Sequence, residues 1–182
     1  MRPTRPLILL YVLAVGSQSL RTQTSDSQSK NVQEWHNYSA KLEEFKKLGR
    51  RAYADEQARE TKGDCPKAMT TYDINVCLAK EVDVTTANYK AYTSALRSAE
   101  GLSSPGESEA IGPTGKPLTP AQRSQNFDTV ESAWHTFYEA QCSAAFDAYR
   151  GGTIAPSIQL NCRLQLIRDR MHELESIYQF MH

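Results

Sequence analysis

The chain has 182 residues, of which 21 are basic and 21 are acidic, and 40% are hydrophobic. This length suits one domain with its own hydrophobic core. Because the basic and acidic residues are interleaved, the composition excludes the extended basic surface that nucleic-acid-binding proteins use.

The first residues have the pattern of a secretory signal. Arg2 and Arg5 precede an apolar run over residues 7–15, and small residues follow it. The run is too short to span a bilayer, so we predict a cleavable signal peptide over residues 1–19 and a periplasmic or secreted product. Its removal takes two arginines and no acid, and leaves 19 basic against 21 acidic residues, a net charge of −2. No cysteine lies near the cleavage region and no later segment is apolar enough for a membrane helix, so we expect neither a lipid anchor nor a membrane span.

The segment after the signal divides into two parts. Residues 20–30 are polar and aperiodic, which predicts a disordered lead-in. Residues 31–62 have a helical pattern, with apolar side chains at steps of three and four: Trp35, Tyr38, Leu42 and Phe45. This amphipathic helix shares no cysteine with the rest of the chain, so the sequence leaves open whether it packs on the domain or extends from it.

Residues 63–180 have the pattern of a helical domain. A break at Gly63 and a start at Pro66 predict a second helix that ends near Glu100. Its apolar seam alternates steps of four and three: Leu78, Val82, Thr85, Tyr89, Tyr92 and Leu96. Residues 101–119 contain four glycines and three prolines without an apolar period, which predicts a flexible loop.

Two further helices follow the loop. Thr119 and Pro120 form a strong helix start, and a glycine pair ends the third helix. We expect it to bury Phe127, Val130, Trp134, either Phe137 or Tyr138, Ala145 and Tyr149. The last helix, after Pro156, has a similar seam: Leu164, Ile167, Met171, Leu174 and Tyr178. No segment alternates with period two, so the predicted class is all-α: three antiparallel core helices plus the N-terminal amphipathic helix.

The four cysteines are Cys65, Cys77, Cys142 and Cys162. An even number in an exported chain favours two disulfides, and the C-x-x-C or H-x-x-x-H spacing of a metal site is missing from the sequence. In an up-down-up bundle all four cysteines share one end. Twelve helical residues would separate Cys65 from Cys77 by about 18 Å, too far for a disulfide. Matching their depths in the helices therefore predicts the pairs Cys77–Cys142 and Cys65–Cys162.

Candidate catalytic groups do not form a constellation. Ser143 lacks the surrounding residues of a nucleophile elbow, and the paired acids fit solvated helix faces. No glycine-rich phosphate loop follows a strand. The four histidines are scattered along the chain: His36, His135, His172 and His182. The sequence therefore predicts a protein that is not an enzyme and needs neither cofactor nor metal.

Several spacings resemble those of the LprI-like lysozyme-inhibitor family of short exported bacterial domains. Asp64-Cys65 and Asn75-x-Cys77 open the pattern, and Trp134-x-x-Phe137 with Cys142 continues it. The Gly151-Gly152-Thr153 turn and Cys162-x3-Leu166-x3-Arg170-x3-Leu174 complete the resemblance, which covers residues 64–178. Two features depart from the family: Tyr138 stands where an arginine is usual, and the lipidation cysteine of the family's named member is missing. An alternative interpretation makes Trp134 and Phe137 core residues and Arg170 a buried ion-pair donor to Asp73 or Glu139.

The resemblance implies an exported inhibitor that blocks the cleft of a lysozyme. A protruding element is needed for this, and two segments could supply it. One is the loop around Glu107 and Glu109, and the other is the turn that contains Thr153 and Ile154. The alternative is a structural or interaction module of the cell envelope that binds another envelope protein through the stripe that begins at Trp35.

Overall fold

The computed structural model of the protein describes residues 19–106, 110–111, 115 and 117–180. Four helices make up nearly all of it: α1 (Ser19–Lys62), α2 (Thr71–Glu100), α3 (Pro120–Ala148) and α4 (Ala155–Tyr178). Two short strands, β1 (Ala110–Ile111) and β2 (Pro117–Leu118), pair antiparallel in the connection between α2 and α3. The predicted all-α class is confirmed. Residues 1–18 of the predicted signal peptide lie outside the described residues.

Helix α1 is longer than the apolar pattern predicts, because it includes residues 20–30. The sequence contains no glycine or proline between residues 19 and 48, and a nucleated helix extends through such polar residues at little cost. Its C-terminal half packs on the domain, since Ala52, Tyr53 and Glu56 are buried. Phe45 also contacts the core, whereas Trp35 is 48% exposed.

Helices α1 and α2 run antiparallel. Near the end of α1, the Arg59 guanidinium pairs with Glu81, and Glu56 accepts a hydrogen bond from the Thr85 hydroxyl at 2.7 Å. At the other end of the pair, Tyr38 and Leu102 line one cavity. The residues of α1 before Tyr38 therefore extend beyond the end of α2, by about 28 Å for a straight helix.

The core forms where α2, α3 and α4 meet the second half of α1. Every predicted seam residue of α2 and α4 is buried or packs against the core: Leu78, Val82, Thr85, Tyr89, Tyr92 and Leu96 of α2, and Leu164, Ile167, Met171, Leu174 and Tyr178 of α4.

Helix α3 buries a narrower stripe than predicted. Phe127, Tyr138 and Cys142 are buried, whereas Val130, Phe137 and Tyr149 are 54%, 52% and 50% exposed. The stripe runs through the polar residue Glu131, which ion-pairs with Arg170 of α4, so the neighbouring Val130 faces away. The expectation that Val130 and Tyr149 are core residues is therefore wrong, and Tyr138 is the core residue of the pair at 137 and 138.

Helix α2 begins at Thr71 rather than at Pro66. The Thr70 side chain accepts the Asp73 backbone N–H, and the Asp73 carboxylate accepts the Thr70 N–H, which forms a capping box. Residues 63–70 are consequently a loop, in which Cys65 has a positive φ of 51°. Thr119 caps α3 in the same way, as the sequence predicts.

The predicted disulfide pairing is wrong. Cys65 pairs with Cys77 and Cys142 pairs with Cys162, with Cα atoms 5.8 Å and 5.5 Å apart. The argument against Cys65–Cys77 assumed twelve helical residues between them, but the loop 63–70 turns the chain back beside α2. Cys142 and Cys162 face each other across the antiparallel α3 and α4.

Candidate partner-binding surface at the disulfide end

One end of the bundle holds both disulfides, the loop 63–70, the start of α2 and the turn 149–154 between α3 and α4. We call it the disulfide end. Ser157, in the first turn of α4, donates a hydrogen bond of 2.6 Å to the side chain of Asn75, the fifth residue of α2, so these two helix starts lie side by side. The elements that the disulfides join therefore form a single surface.

The turn 149–154 has a defined backbone. Consecutive hydrogen bonds run from Gly152 N–H to the Tyr149 carbonyl and from Ala155 N–H to the Gly152 carbonyl, at 3.0 and 3.2 Å. Gly151 has φ +89°, a conformation that side-chain-bearing residues rarely adopt. Gly151 is thus required by the geometry of this turn.

Exposed apolar side chains are concentrated at the disulfide end. The described residues include twelve large hydrophobic side chains that are exposed, and five of them lie here: Met69, Tyr72, Val76, Tyr149 and Ile154. Met69 and Tyr72 are 88% and 75% exposed. An open cavity of about 590 Å³ lies beside them, lined in part by Lys62, Lys67 and the Cys65–Cys77 bond. Exposed apolar groups gathered in this way are typical of protein interaction sites.

A buried charge cluster anchors the loop 63–70 to the helices. Arg168 of α4, whose side chain is only 2% exposed, donates two hydrogen bonds to the Asp64 carboxylate, at 2.7 and 2.9 Å. Its Nε donates a third to Glu56 of α1 at 2.8 Å. Thr85 and Asn88 of α2 donate to the same Glu56 carboxylate. The cluster thus joins three helices to the residue that precedes Cys65, and we call it the Arg168 cluster.

The electrostatics of the cluster favour its charged form. Burial by itself raises the pKa of Glu56, but hydrogen bonds from Arg168, Asn88 and Thr85 outweigh burial, and the net pKa lies below its ordinary value. Burial likewise opposes the charge on Arg168, yet its hydrogen bonds to Asp64 and Glu56 raise its pKa above the ordinary value. Both groups therefore stay ionised in the folded protein at neutral pH.

Two of the predicted motif residues, Trp134 and Arg170, meet inside the domain. The Arg170 guanidinium lies 5.9 Å from the centre of the Trp134 ring, and it pairs with Glu131 and Glu173. The expectation of a buried ion pair is correct, but its predicted partners are wrong. Asp73 instead caps α2, and Glu139 accepts a hydrogen bond from Arg163.

Tyr138, which stands where an arginine is usual in the resembling family, packs beside Trp134 and Arg163. Its ring stacks on Trp134 at 5.3 Å, and the guanidinium of Arg163 lies 5.7 Å from its centre. Phe137, in contrast, points outward. Trp134, Tyr138 and Arg170 are therefore scaffold residues.

The predicted partner-binding residues belong to two different connections between helices. Thr153 and Ile154 are exposed on the turn at the disulfide end. Glu107 and Glu109 lie outside the described residues, and the connection that contains them joins the end of α2 to the start of α3.

The described part of the chain contains no group of three or more His, Cys, Asp or Glu side chains that could hold a metal ion. None of its described helices is long and apolar enough to cross a membrane. His135 and His172 each lie near one glutamate, at 4.0 and 3.2 Å, and both imidazoles are exposed.

A protein-family model described as "Lysozyme inhibitor LprI" matches residues 61–174. The chain belongs to this family. The matched region contains α2, α3, nearly all of α4 and both disulfides, whereas almost all of α1 precedes it. No curated protein and no solved structure matches the chain. Family membership and the two disulfides indicate an extracytoplasmic location, and the inhibitors of this family are in general not enzymes.

Three features of the disulfide end are not predicted from the sequence: the Arg168 cluster, the exposed Met69 and Tyr72, and Arg150, whose side chain is 74% exposed in the turn 149–154. A signal for the first was present, because Arg168 follows the core residue Leu164 by four positions and therefore lies on the buried face. Met69 and Tyr72 could be recognised only once α2 was known to begin at Thr71.

Proposed function

We propose that the chain is an exported, non-enzymatic inhibitor that binds a lysozyme through its disulfide end. The observation that carries this proposal is the match to the lysozyme-inhibitor family, which spans both disulfides and the turn 149–154. Residues 1–19 act as the signal peptide in this account, and the mature protein is periplasmic or secreted.

The build of the disulfide end supports this role. An inhibitor that fills a cleft needs a protruding element. Affinity is higher when that element is already ordered in the free protein, because no conformational entropy is then lost on binding. The Cys142–Cys162 bond closes the segment that contains the turn, and the Arg168 cluster together with Cys65–Cys77 holds the adjoining loop. Tyrosine and arginine, which are enriched among the dominant residues of interfaces, are adjacent in the turn as Tyr149 and Arg150.

The test is a titration of peptidoglycan lysis. The full chain, exported with its own leader so that the disulfides form, is added to a panel of purified lysozymes. We expect near-stoichiometric loss of lysis for at least one of them. Undiminished lysis by every lysozyme at a large molar excess of the chain would contradict the proposal.

Two isoleucines provide a matched pair of variants for this titration. Ile154 in the turn and Ile177 near the end of α4 are 50% and 62% exposed. Ile154→Asp places a charge in the proposed interface and should weaken inhibition at least about tenfold, since a desolvated unpaired charge costs several kcal/mol. Ile177→Asp should inhibit like the wild type. Equal inhibition by the two variants would show that the turn is not part of the interface.

A second candidate function is an interaction module of the cell envelope that acts through the start of α1. The observation in its favour is that residues 28–37 are all exposed, including Val32 at 55% and Trp35 at 48%. Removal of residues 31–60 would not test it, because it deletes the buried Tyr53 and Glu56. Removal of residues 20–37 leaves the core intact. If the truncated and full-length chains capture identical proteins from an envelope extract, this candidate fails.

A further inference from the structure

We propose that Arg150 enters the substrate cleft of the inhibited lysozyme and pairs with the catalytic carboxylates there. This inference rests on the proposed function and assigns the contact by which inhibition is achieved. Its partner is a glycoside hydrolase that carries two carboxyl groups on either side of the scissile bond.

The chemistry of such a cleft favours a cation. Glycoside hydrolysis passes through an oxocarbenium-like transition state, and at least one carboxylate of the pair is ionised to stabilise it. A guanidinium placed between the two carboxyl groups occupies the position of the developing positive charge. It also matches carboxylate geometry, because it can donate two parallel hydrogen bonds.

The turn presents Arg150 in a way that suits insertion. Arg150 is the only charged residue in the segment 149–154, and its side chain is 74% exposed. Gly151 and Gly152 follow it, so no bulky side chain hinders close approach of the backbone on that side. Tyr149 and Ile154 flank the segment with apolar surface. The first turn of α4 contains no acidic residue, and its N-terminus adds partial positive charge near the same point.

Arg150 is available for a new partner. It contacts Asp147, three residues earlier, through two donors to one carboxylate oxygen, Nε at 3.2 Å and Nη2 at 2.5 Å, and the Asp147 side chain is 52% exposed. Exposed pairs of this kind contribute little. Asp147 is also close to the C-terminus of α3, where a negative charge is unfavourable. The exposed Asp147 carboxylate therefore releases the arginine at low cost.

The test compares four variants in the lysis titration, using a lysozyme that the wild type inhibits. Arg150→Ala should raise the inhibition constant about 10- to 100-fold, the usual effect of losing a charge-assisted contact. The inhibition constant of Arg150→Lys should lie between those of the wild type and Arg150→Ala, since lysine retains the charge but cannot donate two parallel hydrogen bonds to one carboxylate. Asp147→Ala should inhibit as well as the wild type or better. The control is Arg51→Ala, which removes an exposed arginine with an acidic neighbour, Asp55, on α1.

A second measurement tests the location of the contact. Tri-N-acetylchitotriose, which occupies the substrate cleft, should compete with the wild-type chain for lysozyme. The inference is overturned if Arg150→Ala inhibits like the wild type, if the oligosaccharide does not compete, or if Asp147→Ala loses as much potency as Arg150→Ala. The proposed function survives each of these results as long as the wild type inhibits. A wild type that inhibits no lysozyme overturns both proposals.

Discussion

Replacement of Arg168 by alanine should be among the most destabilising single changes in the domain. The substitution removes three charge-assisted hydrogen bonds of 2.7–2.9 Å and leaves the Asp64 and Glu56 carboxylates without their shared cation. The Glu56 side chain is only 4% exposed, so water cannot replace the lost partner. Breaking a buried ion pair from one side costs about 3–5 kcal/mol, a large part of the roughly 5–15 kcal/mol that stabilises a typical domain.

Urea unfolding of the oxidised protein, followed by circular dichroism, measures this effect. Arg97→Ala is the matched control, because Arg97 also binds one carboxylate with two hydrogen bonds, to Asp128 at 2.6 and 2.8 Å, but on the exposed surface. We expect the control to unfold close to the wild-type midpoint. A combined Arg168→Met, Glu56→Gln and Asp64→Asn variant should recover part of the loss, since no unpaired charge remains. A loss below about 1 kcal/mol for Arg168→Ala would refute the argument that the Arg168 cluster holds the helices together.

Three further predictions concern other parts of the molecule. Because the pKa of Glu56 is lower in the folded protein than its ordinary value of 4.5, its stabilising contribution is complete above that pH and is lost as the pH falls through the folded pKa; Glu56→Gln should therefore lose stability less steeply in acid than the wild type. Limited reduction with an alkylating label should modify Cys65 and Cys77 first, since both are partly exposed while Cys142 is fully buried; earlier labelling of Cys142 would contradict this order. Gly49→Ala should lower the free energy of unfolding by about 1–3 kcal/mol, because its Cβ would lie 2.5 Å from the Phe180 ring; an unchanged melting temperature would show that the ring moves aside freely.

The helices and their buried faces could be predicted from the sequence because periodicity reports burial directly. Every residue that the apolar period predicts for the seams of α2 and α4 is buried or packs against the core, and Thr119 caps α3 as its sequence context predicts. The stripe of α3 was harder to predict. It includes Glu131, and a polar residue that is buried through an ion pair does not contribute to an apolar period.

The disulfide pairing could not be predicted because it depended on the conformation of eight residues. Gly63 and Pro66 were correctly recognised as a break, but Thr70, rather than a residue near Pro66, caps α2. This single shift turns the segment around Cys65 from helix into loop and brings it next to Cys77. It also exposes Met69 and Tyr72. The position at which α2 begins therefore determines both the disulfide pairing and the exposure of half of the proposed binding surface.

The most direct test of the account is amide hydrogen exchange of the full, oxidised chain with and without saturating amounts of an inhibited lysozyme. We expect bound lysozyme to slow exchange in the turn 149–154 and in residues 65–77, while residues 28–37 of α1 exchange at the same rate in both samples. Protection confined to α1 or to the α2–α3 connection, or no protection with any lysozyme of the panel, would contradict it.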